Sequence, residues 1–203
     1  DVNHVIRASE TFEYVNNSPD VLQKIYIHLW PNAYRDGKSA LGKQLYKNGD
    51  EFLTFAKEKD RGNIDSLDFK VNGDQAKWEY HPDHMDVAVI YLSKPLSPGE
   101  RLVVSTPFKV KLPSGKISRL GHIDQSYQIT QWYPKPAVYD KNGWNWMPYL
   151  TQGEFYSEYG SFDVSITLPK NYVVGATGDL QTASEIKFLE ERVAETLNED
   201  DNN

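Results

Sequence analysis

Apolar and polar side chains alternate through most of this chain. The longest run is Leu102, Val104, Thr106, Phe108, Val110 and Leu112, with Arg101, Ser105, Lys109 and Lys111 between them. A period of two puts the first set on one face of a β-strand and the second on the other. Pro107 removes a ladder donor, which predicts an edge position or a bulge there. Met85, Val87, Val89 and Tyr91 alternate in the same way, up to the turn at 95–99. Phe12 and Tyr14, flanked by Thr11 and Glu13, predict a strand before the turn Asn16-Asn17-Ser18-Pro19-Asp20. Val21 to Trp30 is apolar on both faces, with Ile25, Ile27 and Leu29 opposed by Leu22, Tyr26 and Trp30. Such a strand needs cover on both sides, so His28 within it is expected to be a hydrogen-bonded core histidine.

Shorter strands are predicted at Phe52–Ala56, Ile64–Val71 and Ala76–Tyr80, with a hairpin turn at Asn72-Gly73. Tyr127, Ile129 and Gln131 extend the pattern, as do Phe162, Val164, Ile166 and Leu168, and then Tyr172 to Ala176. Two segments have helical character. Ser39 to Lys47 can form one or two turns ending at Asn48-Gly49. Thr182 and Glu185 make a capping box ahead of Ile186, Leu189, Val193 and Leu197 on one helical face. Turn signals about every ten residues mark a sandwich or barrel. The expected fold is therefore all-β and antiparallel, with one short helix and a C-terminal helix. The sandwich domain covers 1–181, and the helix with its acidic tail covers 182–203.

Charge and composition narrow the function. Of 203 residues, 22 are Lys or Arg and 29 are Asp or Glu, a net charge of −7. That balance argues against nucleic acid and anionic membrane surfaces as partners. There is no cysteine, which excludes disulfides, thiolate metal sites and a cysteine nucleophile. No apolar run approaches the ~18 residues of a membrane span. No His-Glu-x-x-His, Gly-x-Ser-x-Gly, Walker loop or dinucleotide-binding glycine pattern occurs. His81-Pro-Asp-His84 is expected to be a loop, since Pro82 opposes the helix a paired-histidine metal site needs. Asp140-Lys-Asn-Gly143 is expected to be a turn, because the acid a calcium loop requires at its twelfth position is missing. Glu154 and Glu158 are expected to be ordinary surface acids.

One stretch stands apart. Ten of the 26 aromatic residues fall between 132 and 162: Trp132, Tyr133, Tyr139, Trp144, Trp146, Tyr149, Phe155, Tyr156, Tyr159 and Phe162. Pro134, Pro136 and Pro148, with Gly143, Gly153 and Gly160, break it into an irregular segment. With no ladder to satisfy its backbone, such a segment must be anchored by ring packing. It is either a plug over the sandwich, a docking surface for another body, or a platform of Trp132, Trp144 and Trp146 for stacking sugars.

The same stretch resembles a known family. Ile129-Thr-Gln-Trp-Tyr-Pro-Lys-Pro-Ala-Val-Tyr-Asp140, Gly143-Trp144, Met147-Pro-Tyr-Leu150 and Gly153-Glu-Phe-Tyr-Ser-Glu-Tyr-Gly160 are similar to a bacterial branch of the aminopeptidase N-type zinc metallopeptidases, the gluzincins. His28-Leu-Trp-Pro-Asn-Ala-Tyr34 and Leu168-Pro-Lys-Asn-Tyr-Val-Val174 fit the same branch, so the resemblance spans roughly residues 10–180. It implies a saddle-like N-terminal β-sandwich with no catalytic residue and no metal of its own, and an opening strand fuller than Val2 to Arg7. Zinc and the peptidase activity are implied for the parent's catalytic domain, the expected partner within the same polypeptide. Gln131, which follows Thr130 at a strand end, is implied to face the peptide substrate. Tyr133 stands where relatives carry Glu or Gln. Trp132, Tyr139, Trp144, Trp146, Tyr149, Phe155 and Tyr156 are expected at the domain interface. The branch further implies export, to the periplasm of a Gram-negative bacterium. The alternative is a carbohydrate-binding or protein-interaction sandwich.

Overall fold

The computed structural model describes residues 3–153 and 155–200. They divide into two compact units, one ending at Tyr159 and one beginning at Gly160.

The first unit is a sandwich of antiparallel sheets. In chain order its strands are β1 (Val5–Val15), β2 (Leu22–His28), β3 (Asn63–Asp65), β4 (Lys70–Val71), β5 (Asp74–Gln75), β6 (Lys77–Tyr80), β7 (Val87–Leu96), β8 (Arg101–Lys111), β9 (Gly121–Ile123), β10 (Ser126–Gln128), β11 (Lys135–Pro136), β12 (Val138–Asp140) and β13 (Gly143–Asn145). One sheet runs β1-β8-β4-β5, with β3 also on β8; the other runs β11-β2-β7-β6. Hairpins β9–β10 and β12–β13 stand apart from both sheets. The core lies where Ile25 and Ile27 of β2, Ala88 and Ile90 of β7, and Leu102, Val104, Phe108 and Val110 of β8 meet, all almost inaccessible to solvent. Ile6, Ala8, Phe12 and Tyr14 of β1 pack against this core, as period two requires.

The hairpin between β4 and β5 has the expected two-residue turn, with Asn72 and Gly73 at φ 52° and 90°. Two positive values in succession match the right-handed twist of the strands. Helix α1 (Ala40–Lys47) is capped by Ser39, whose Oγ accepts from the Gly42 amide at 2.9 Å.

Three expectations are corrected. Phe52–Ala56 is a single helical turn, α2 (Phe52–Phe55), not a strand; Asp50 Oδ1 accepts the Phe52 amide, and only Leu53 is buried. The strand β8 is not at an edge, because it pairs with β1 on one side and with β3 and β4 on the other. Pro107 is accommodated because β4 reaches only Ser105 and β3 only Lys109, which leaves no ladder partner on that side. The intervening Asp68 amide donates to Thr106 Oγ1 instead.

The third correction concerns the second unit, where residues 160–182 form no strand despite their alternation. A strand is stable only with a ladder partner, and this unit supplies only helix α3 (Ala183–Asp200). Its apolar positions Phe162, Val164, Ile166 and Leu168 remain exposed.

Candidate functional site

The aromatic segment is anchored along the sheet that contains β2. Its first contact is β11, where Lys135 and Pro136 pair with His28 and Ile27. The hairpin β12–β13 then presents Trp144, whose ring lies 5.1 Å from Tyr139, 5.8 Å from Tyr26 and 6.2 Å from Tyr14. Trp146 lies between Tyr26 (6.1 Å) and the His81 ring (4.2 Å). The His81–His84 loop therefore serves as a wall for this indole. Trp132 packs at 5.6 Å on Phe108 and edge-on to Tyr133.

Of the residues expected at an interface, Tyr149 is the most enclosed, at 1% exposure. Its ring contacts Trp30, Tyr34 and Phe155, its hydroxyl accepts from Tyr34 at 2.9 Å, and its amide donates to Asp86 Oδ2 at 2.7 Å. Burial pushes the Asp86 carboxyl up, an effect the Tyr149 amide partly offsets. Trp132, Tyr139, Trp144, Trp146 and Phe155 are half-buried, and Tyr156 is exposed.

At the centre of this segment is a polar cluster built on Lys135. Its ammonium donates to Gln131 Oε1 at 3.0 Å and to Ser157 Oγ at 2.7 Å, and lies 4.1 Å from the centre of the Trp30 ring. Burial lowers its pKa to about 8. The backbone of Gln131 is left-handed, at φ 53°, a conformation that costs a non-glycine residue about 1 kcal/mol or more. The lysine hydrogen bond helps to hold it there. The structure thus brings Gln131 together with Lys135, Ser157, Trp30 and His28.

His28 is buried as expected, at 1% exposure, but it is not hydrogen-bonded: neither ring nitrogen has a partner. This corrects the sequence expectation. The ring is wedged 4.4 Å from Trp30 and opposite a cationic lysine. Burial first, and Lys135 second, bring its pKa down to about 3, so it is neutral at physiological pH.

A second polar group, missed from sequence, lies on β1 within electrostatic reach of Tyr133. Glu10 shares the core-facing side of β1 with Ala8 and Phe12, opposite Thr106. Thr106 already donates to the Pro107 carbonyl, and Glu10 Oε1 is buried without a partner. Burial raises the Glu10 pKa to about 8, and the nearby Glu10 carboxyl contributes to raising that of Tyr133. Its position in the inward series Ile6, Ala8, Glu10, Phe12 and Tyr14 was the available signal.

Among the described residues, no three His, Cys, Asp or Glu side chains converge as a metal-ligand group. No helix among them is long and apolar enough to cross a membrane. No protein-family model and no curated protein matches this chain.

Proposed function

We propose that the first unit is the non-catalytic N-terminal module of a zinc aminopeptidase-like metallopeptidase. In this reading it packs on the catalytic domain of the same polypeptide and lends Gln131 and Tyr133 to one wall of the peptide cleft. The observation that carries it is the preorganised Gln131 amide. Lys135 holds its oxygen, and its NH₂ has no acceptor among the described residues, so it can donate to a peptide carbonyl at little ordering cost. Support also comes from the resemblance of 129–160 to that family and from the antiparallel sandwich. In this reading zinc is held by the catalytic domain, and no chemical step is assigned to this chain. A sugar-stacking platform is less favoured, because Trp132, Trp144 and Trp146 each have a ring neighbour close by.

The coding sequence beyond Asn203 tests the first half. A downstream His-Glu-x-x-His with a further zinc-ligating Glu supports the reading; an unrelated domain or a stop codon overturns it. Peptidase assays of the whole polypeptide test the second half. Gln131→Ala is expected to alter selectivity for the first substrate residue by about tenfold, the effect of one lost buried hydrogen bond.

A further inference from the structure

The strand β1 uses only one of its two sides. Its register with β8 sets Arg7 opposite Lys109, Ser9 opposite Pro107, Thr11 opposite Ser105 and Glu13 opposite Val103. Just beyond the strand ends, the His4 carbonyl accepts the Leu112 amide at 2.8 Å and the Asn16 amide donates to the Glu100 carbonyl at 2.9 Å. Both bonds join directly opposed residues, so even-numbered residues turn their N–H and C=O toward β8 and odd-numbered ones turn theirs away. Among the described residues no strand pairs with that outer side, and no backbone hydrogen bond joins 7–13 to a segment other than β8. Arg7, Ser9, Thr11 and Glu13 are exposed. No proline, glycine or bulge interrupts the strand, although such features commonly protect an edge.

We propose that the open side of β1 binds a second copy of this chain, joining the two β1 strands antiparallel about a twofold axis at Glu10. In that register the strand complements itself. Arg7 of each copy meets Glu13 of the other, and Ser9 meets Thr11, all through outward-turned backbone groups. On the core-facing side Ile6 meets Tyr14 and Ala8 meets Phe12. Arg7 faces only Lys109 within its own sheet, so the copy supplies the acid it lacks. Glu13 holds Arg101 at 3.2 Å through Oε1, which leaves Oε2 for the incoming guanidinium. A shift of two residues either way sets Arg7 against Thr11 or Val15 and loses both ion pairs. Glu10 falls on the axis at a non-hydrogen-bonded position, where facing Cα atoms lie about 4.5 Å apart. Its Oε1 is sealed without a partner, and its Oε2, which is not sealed, can share one proton with the same atom of the copy. Burial favours that proton. Thr106 faces Glu10 from β8, and Tyr133 is within electrostatic reach. Two ionised Glu10 carboxylates would repel, so the contact is gated by protonation.

The test is sedimentation velocity of the intact chain across the micromolar range at constant ionic strength. A concentration-dependent dimer is expected at pH 7. Arg7→Glu and Glu13→Arg, both at exposed side chains, each set like charges together twice per dimer and are expected to weaken it about tenfold. The two combined restore opposite charges and are expected to recover most of the loss. Thr11→Pro removes an outward N–H without touching the β8 ladder and is expected to abolish the dimer while the monomer stays folded by circular dichroism. Raising the pH from 7 to 9 is expected to weaken association severalfold, and Glu10→Gln to keep the dimer while removing that dependence. A monomer at every concentration, a dimer indifferent to Thr11→Pro or to charge reversal, a double variant no better than the single ones, or an unchanged pH dependence in Glu10→Gln would each overturn the proposal.

Discussion

Glu10 and Lys135 are opposite cases of the same physics, since each is an ionisable group that burial pushes toward its neutral form. Native Glu10 holds its proton up to about pH 8, whereas in an unfolded chain it loses it near 4.3. Between those values the folded state binds more protons, so stability falls as pH rises. Glu10→Gln is expected to remove that slope and to stabilise the protein at pH 8 by a few kcal/mol, measured as urea midpoints at pH 5 and 8 against the wild type. For Lys135 the sign reverses. Its native pKa of about 8 lies below the ~10.4 of an unfolded lysine. The native state therefore sheds its proton first, and stability gains between roughly pH 8 and 10. Lys135→Met is expected to abolish that gain while releasing Gln131 and Ser157. Wild-type and variant urea curves at pH 7 and 9.5 check the slope, and loss of the Gln131 side-chain contact checks the release.

Within single elements, close backbone approach decides more than propensity. Helix α1 carries Gly42 in its first turn, where alanine would ordinarily gain about 1 kcal/mol. A Cβ there would stand 2.6 Å from the Gly37 Cα and 2.8 Å from the Asp36 carbonyl oxygen. Backbone atoms cannot swing aside as a side-chain tip can, so the clash outweighs the propensity. Gly42→Ala is expected to destabilise by about 1–3 kcal/mol, the usual cost of overpacking, read as a lower urea midpoint. The strand β8 makes a related point. Its proline survives in the middle of a sheet only because two short neighbouring strands leave a gap opposite it.

Across the molecule, stability is distributed unevenly. The β2–β7 and β1–β8 ladders carry buried side chains on their core faces. Residues 160–182 are almost all exposed and lack strand pairing. Native-state hydrogen exchange is therefore expected to show amides of β2 and β7 protected up to the global unfolding free energy, and those of 160–182 exchanging within seconds. Strong protection across 162–168 would contradict this assignment.

Local pattern by itself determined much of this protein. Period two located β1, β7 and β8, a run apolar on both faces located β2, Asn-Gly set the β4–β5 turn, and Ser39 marked the start of α1, because each signal acts within a few residues. The aromatic density of 132–162 likewise marked a segment whose part from Lys135 to Phe155 packs against β2 and its neighbours. Only the tertiary structure decided the rest. It placed Pro107 beside a gap, kept residues 160–182 out of any strand, and brought Lys135 against His28 and Gln131. It also left a carboxyl on the core-facing side of β1, within electrostatic reach of Tyr133. Each of these depends on what a residue meets across a sheet or a loop, and burial and pairing belong to that meeting, not to the residue alone.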